Sequence, residues 1–242
     1  MAWKQNSEFQ DSQEDVARQM ERRQKHGEVF AVFEVPKGNK LAISFWGQAW
    51  QHHLQGHPGY ESRLPGGRSY LRQGKVYNLA IREGEVSAVV AGEALYDVIL
   101  KIRPLTASRW QEVKERCAGQ VGNLLDLLGG TLGDGLLKVI TDPEEGLFPS
   151  PKEIKILCEC ADSADLCKHA AAVLYAIGLK FDAEPGLFFT LRAVNPGELL
   201  SLAADVVGQE PAQGGAPALE EADISAIFGI EMGGLPVDFD AL

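Results

Sequence analysis

The sequence predicts an α+β fold, an antiparallel sheet with helices and a compact strand–loop–helix unit. Three observations lead there. Residues 68–103 run in short strand-like stretches punctuated by Gly74, Glu83-Gly84 and Gly92-Glu93, the pattern of a meander. Its last strand alternates Tyr96, Val98, Leu100 and Ile102 with Asp97, Lys101 and Arg103, one face buried and one wet, as in an antiparallel sheet. Finally, Cys158, Cys160, Cys167 and His169 fall within twelve residues between a strand-like run and an Ala-rich one.

The elements follow in order. Residues 1–28 form a polar N-terminal arm, a solvated helix or a mobile segment, in which Val16 and Met20 are the bulkiest apolar residues of the run 11–26. Residues 29–150 hold the sheet and its helices. Strands are expected at Val29–Val35 and Lys40–Phe45 around the turn Pro36-Lys37-Gly38-Asn39, then a short helix after Phe45-Trp46. Pro104 ends the sheet. Ser108 with Gln111 reads as a capping box for a helix through Arg116, and Val121–Leu128 as a further helix stopped by Gly129-Gly130. The stretch 131–150 reads as loop, with Gly133-Asp134-Gly135 as turns rather than a phosphate-cradling loop. Residues 151–207 carry the cysteine-rich unit and its helix, and 208–242 an acidic, largely disordered tail.

Three of the four cysteines crowd together, which suits metal ligation better than a disulfide framework in a chain of 242 residues. In extended chain, residues two apart point to one side, so Cys158 and Cys160 converge. In a helix they diverge by about 200°, so Cys167 must sit just ahead of a helix with His169 in its first turn. Ala170–Ile177 then forms that helix, with Gly178 as its stop. Three thiolates and an imidazole complete a tetrahedral zinc site with no position left for water, a structural rather than catalytic site. Glu159 lies between ligands on the opposite strand face, and no catalytic motif emerges elsewhere. The chain is expected not to be an enzyme.

Cys-x-Cys followed by Cys-x-His before a helix resembles the SWIM zinc-finger family. The motifs Phe45-Trp46-Gly47-Gln48-Ala49-Trp50, Leu64-Pro65-Gly66-Gly67-Arg68-Ser69-Tyr70 and Gly186-Leu187-Phe188-Phe189-Thr190-Leu191-Arg192 extend the likeness to bacterial single-finger members over roughly residues 28–200. That resemblance implies DNA-binding or protein-interaction roles and a Swi/Snf-type helicase-like ATPase as partner. The expected function is a zinc-stabilised nucleic-acid-associated adaptor that recruits or positions such an ATPase; the alternative is a protein–protein interaction subunit without nucleic-acid contact.

Charge is unevenly spread. Residues 1–180 are near neutral, whereas 181–242 hold Arg192 as their one Lys or Arg among eleven acids. Residues 62–82 contain Arg63, Arg68, Arg72, Lys75 and Arg82 with Tyr70 and Tyr77 interleaved and no acid. Of these, Arg63, Arg68, Arg72 and Lys75 form the candidate nucleic-acid surface, a solvated strand edge being an even alternative. Asp162 and Asp165 argue against DNA contact by the finger tip. His52, His53 and His57 invite a second metal site, since helical spacing puts His53 and His57 on one face, but no carboxylate or thiol joins them nearby and they read as a surface cluster at a helix end. Cys117 reads as a buried small hydrophobe, and Phe45, Trp46 and Trp50 as core anchors. In the tail, Ile224, Ile227 and Phe228 share one face at helical spacing and form a candidate partner-binding segment, with packing onto the chain's own domain as the alternative. No run reaches the length of a membrane span, and the start lacks a secretory pattern, so a cytoplasmic location is expected.

Overall fold

The computed structural model describes residues 2–38, 40–118, 134–199 and 201–202, with only the backbone for 2–12 and 134. The expected helix Val121–Leu128, the tail and its Ile224, Ile227 and Phe228 lie outside the described residues.

Four antiparallel strands form one sheet in the order β1 (Val76–Arg82), β2 (Glu85–Ala91), β3 (Leu95–Ile102), β4 (Ile154–Cys158). The first three are the predicted meander, and Gly84 turns the β1–β2 hairpin with φ +65°, a conformation glycine adopts freely. Val98, Leu100 and Ile102 are buried and Asp97 and Lys101 exposed, as the alternation required. β4 returns after α4 (Ala107–Ala118) and α5 (Asp134–Ile140) and pairs with β3, Ile102 opposite Ile154 and Val98 opposite Cys158. This register carries the first cysteine to the end of a ladder.

Helix α6 (Lys168–Ala183) runs through the core and is buried from His169 to Leu179. A helix apolar all round needs neighbours on every side. The sheet lies on one; α2 (Phe45–Gln55) and α3 (Leu64–Arg72) cover others. Both approach closely because glycines remove side chains at the crossings. A Cβ on Gly47 would lie 2.6 Å from the Gly178 carbonyl, one on Gly178 2.8 Å from Trp50 Cδ1, and one on Gly67 2.4 Å from Ala171 Cβ. Trp50 Nε1 then donates to the Leu174 carbonyl at 2.7 Å. Asp182 ties the start of α2 to the end of α6 by accepting from the backbone N–H of Ile43, Ser44 and Gly47. The short helix α7 (Leu187–Leu191) closes the core with Phe188 and Phe189 against Trp46.

Several expectations are corrected. Val29–Val35 is extended but makes only the isolated bridge Val32–Tyr77 beside β1, because β1 bulges there. Asn78, at φ +52°, bonds Ala31 and Val29 through its side chain as well as donating its backbone N–H to the Ala31 carbonyl, and the pairing goes no further than this bridge. Lys40–Phe45 is not a strand: Ser44 caps α2, which begins at Phe45. Residues 68–72 belong to α3, started by Pro65, and the sheet begins only at Val76. The cap of α4 is Thr106, whose hydroxyl accepts from Arg109 N at 3.3 Å, so Ser108 lies inside the helix. Within 131–150, α5 forms because Leu136, Leu137, Val139 and Ile140 all find the core. Gly178 does not stop α6; it sits mid-helix as a notch for Trp50. Phe45 is 42% exposed and no core anchor, unlike Trp46 and Trp50. The polar segment 1–28 is helical over α1 (Ala2–Lys25), and its last turn is fixed to the sheet by Arg23, which donates to Asp97 at 2.8 Å.

Candidate metal centre

Cys158 ends β4, Cys160 follows in the loop, Cys167 is the N-cap of α6 and His169 stands in its first turn. This is the strand, loop, ligand and helix order the spacing demanded. The ligand atoms of the four residues all lie within 4.8 Å of one another, and Cys158 Sγ is 3.9 Å from His169 Nδ1. Bonds of about 2.3 Å from zinc to sulfur place tetrahedral ligands roughly 3.8 Å apart. The residues therefore fit a zinc ion in spacing, number and chemistry, and four protein donors leave no position for a reacting water.

The electrostatics agree. The proximity of the Cys158 and Cys167 sulfurs holds the Cys167 thiol well below its usual range and pushes Cys158 up. Ala170 N also donates to Cys167 Sγ, at 3.4 Å. A helix N-terminus favours a thiolate, yet crowded sulfurs cannot all ionise without a cation among them. Zinc supplies that charge.

Cys167 and His169 are buried, Cys158 and Cys160 half-buried. His169 is held unusually for a ligand. Its buried Nε2 meets no acceptor among the described residues. The ring is fixed instead by stacking on Tyr96, centroids 4.3 Å apart at 27°, and by the edge of Tyr70 at 5.4 Å. Gly92 makes the stack possible, since a Cβ there would lie 2.6 Å from Nε2 and 2.9 Å from Tyr96 Cε2. Sequence reasoning saw Gly92 only as a turn and Tyr96 only as a core face. The pairing of β2 and β3 is what brings them to the ligand.

Residues 140–178 match the family described as SWIM zinc finger. This segment is a SWIM zinc-finger domain. SWIM zinc-finger domains are non-catalytic binding modules, and the closed set of four donors in this finger accords with that. The chain is also 32% identical over 186 residues to the uncharacterized protein Rv2102 of Mycobacterium tuberculosis, a stretch covering 76% of this chain and 65% of that relative. The chain thus spans just under two thirds of the relative's length. No solved structure matches. Among the described residues, no helix is long and apolar enough to cross a membrane.

The other sequence-predicted residues are placed as follows. Arg63 precedes α3 and donates to Asp162 of the finger loop at 3.1 Å. Arg68 and Arg72 lie on α3, and Arg72 donates to the Gly38 carbonyl at 2.9 Å. Lys75 Nζ sits 4.5 Å above the Tyr70 ring, which Lys168 Nζ of the finger also approaches, at 5.3 Å. Cys117 is fully buried, and burial pushes its thiol up to about 12, so it is inert. Of the three clustered histidines His52 is exposed, His57 half-buried and His53 buried, so the cluster is not wholly on the surface. His53 is only 6% exposed, between Trp50 and Phe148, because α2 turns this face inward. Burial lowers the His53 pKa and, with the His53 charge, brings His57 down to about 4.

Proposed function

We propose that this chain is a zinc-stabilised, nucleic-acid-associated adaptor whose finger braces a basic surface formed by Arg63, Arg68, Arg72 and Lys75. The observation that carries this is the convergence of Lys75 and Lys168 on Tyr70, whose ring also abuts the ligand His169. Two ammonium groups beside an aromatic face suit a phosphate and its adjoining base. Zinc holds the start of α6, and with it Lys168, against α3. Recruitment of a Swi/Snf-type helicase-like ATPase rests on the family resemblance.

The test is fluorescence anisotropy with labelled DNA at increasing salt. Each lost phosphate contact lowers the slope of log affinity against log salt by about 0.9. Replacing Arg68, Arg72 and Lys75 by Gln is expected to weaken binding strongly at low salt and flatten that slope by about 3 × 0.9. Equal binding by the triple variant overturns the nucleic-acid role.

The alternative, an interaction subunit without nucleic acid, is favoured by a different observation. Val32 and Ile43 are exposed and line an open, mainly apolar groove between residues 31–36 and the end of α6, with Phe45 exposed close by in sequence. Clustered exposed apolar groups mark interaction surfaces.

A further inference from the structure

Three acceptor-bearing atoms converge beneath the end of α2, none of them belonging to the finger. His53 Nε2 lies 3.0 Å from the Pro149 carbonyl oxygen and 3.0 Å from His57 Nε2. The Pro149 carbonyl oxygen can only accept. A neutral imidazole nitrogen carries one hydrogen or one lone pair. If His53 Nε2–H donates to the carbonyl, the two nitrogens share no hydrogen of their own. If His57 Nε2–H donates to His53, the carbonyl faces a lone pair. A single hydrogen serves both contacts only when split between them.

A cation serves all three at once. His57 lies just past Gly56, the C-cap of α2, and its ring meets that of His53 edge to face with centroids 4.3 Å apart, so the two imidazoles can form a chelate. With metal–nitrogen bonds of about 2.1 Å, donors at 90° stand about 3.0 Å apart and tetrahedral donors roughly 3.4 Å. The observed 3.0 Å separation matches the 90° arrangement. His53 Nε2 stands 3.0 Å from both the His57 nitrogen and the Pro149 oxygen, the spacing of adjacent donors in a tetragonal Cu²⁺ or Ni²⁺ site. His57 is half-buried, which gives an entry path, whereas His53 and Pro149 are buried.

We propose that His53 and His57, with the Pro149 carbonyl, form a second metal site that takes a divalent ion of the Ni²⁺ or Cu²⁺ type. Bound there, the ion clamps the end of α2 to the loop 141–150 that precedes β4. The site is independent of the nucleic-acid role and of the finger's four ligands.

The test uses tag-free, zinc-loaded, full-length protein titrated with Ni²⁺ by calorimetry, with zinc content measured before and after. Nickel is chosen because Cu²⁺ would oxidise the finger thiols. The expected result is one Ni²⁺ per chain with zinc retained, and an affinity loss on the order of 100-fold or more in His57→Ala, since paired donors outbind single ones by that factor. His52→Ala is expected to bind as wild type. His57→Gln, which keeps size and polarity, serves as a second variant should the alanine fail to fold. No stoichiometric Ni²⁺ binding, or undiminished binding in the His57 variants, overturns the site.

Discussion

Replacing Gly92 by alanine is expected to loosen zinc although residue 92 is no ligand. Gly92 lies outside the left-handed region, so the effect is steric and not one of backbone strain. The new Cβ would stand 2.6 Å from His169 Nε2, 3.3 Å from His169 Cδ2 and 2.9 Å from Tyr96 Cε2. Both neighbours are rings rather than flexible chain ends, and both are constrained. His169 is anchored in the first turn of α6, and Tyr96 lies in a strand paired with β2. An ordinary contact needs the imidazole to move by several tenths of an ångström, which turns Nδ1 away from the sulfurs. Overpacking of this kind costs about 1–3 kcal/mol, equivalent to roughly 5- to 150-fold in zinc affinity at about 1.4 kcal/mol per tenfold. The assay is competition with a chromophoric chelator, with Gly66→Ala as control because its Cβ would meet Lys168 Cβ at an ordinary 3.5 Å. Zinc affinity in Gly92→Ala equal to wild type would refute the assignment of the Gly92–Tyr96 cradle.

Two further outcomes are expected. Gly67→Ala should lower thermal stability by about 1–3 kcal/mol, since its Cβ would reach 2.4 Å from Ala171 Cβ and 2.6 Å from backbone; an unchanged melting temperature contradicts this. Glu153→Gln should destabilise the fold, because it leaves the 2% exposed Arg192 without the charge of the carboxylate that accepts at 2.8 Å, a loss of about 1.5–3 kcal/mol for a hydrogen bond to a charged group. Burial raises the Glu153 carboxyl, but bonds from Arg192 and Ser150 outweigh it and hold the pKa below the usual range. A depressed folded pKa means the stabilisation is complete above the unfolded pKa and is lost as pH falls through the folded one. Denaturant midpoints measured down through the acid range should show that loss in wild type and not in the variant.

The metal centre was legible in the sequence because its logic is local. The spacing of Cys158, Cys160, Cys167 and His169 dictates strand, loop and helix start, and the structure gives that order. The meander was legible for the same reason, its turns falling where glycine marks them. What stayed hidden depends on packing between distant segments. Gly178 carries the local signature of a helix stop, but an indole from α2 needs its missing side chain. Gly92 does mark the β2–β3 turn, but that its missing side chain makes room for His169 and Tyr96 shows only in the packing. His53 lies on a face of α2 that sequence placed in water, because nothing local shows that Phe148 and Pro149 cover it. Residues 29–35 are strand-like in composition, yet beyond the bridge at Val32 it is the side chain of Asn78 that bonds Ala31 N and the Val29 carbonyl.

The most direct test of the central claim is zinc content by native mass spectrometry across three forms of the full chain. Wild type and His57→Ala are expected to carry one zinc each at the finger. Cys160→Ser should lose it, together with the order of residues 152–180, because metal binding at such a site is folding free energy. Purified wild-type protein of normal stability that holds no zinc, or a Cys160→Ser variant that keeps both its zinc and its fold, would contradict the account.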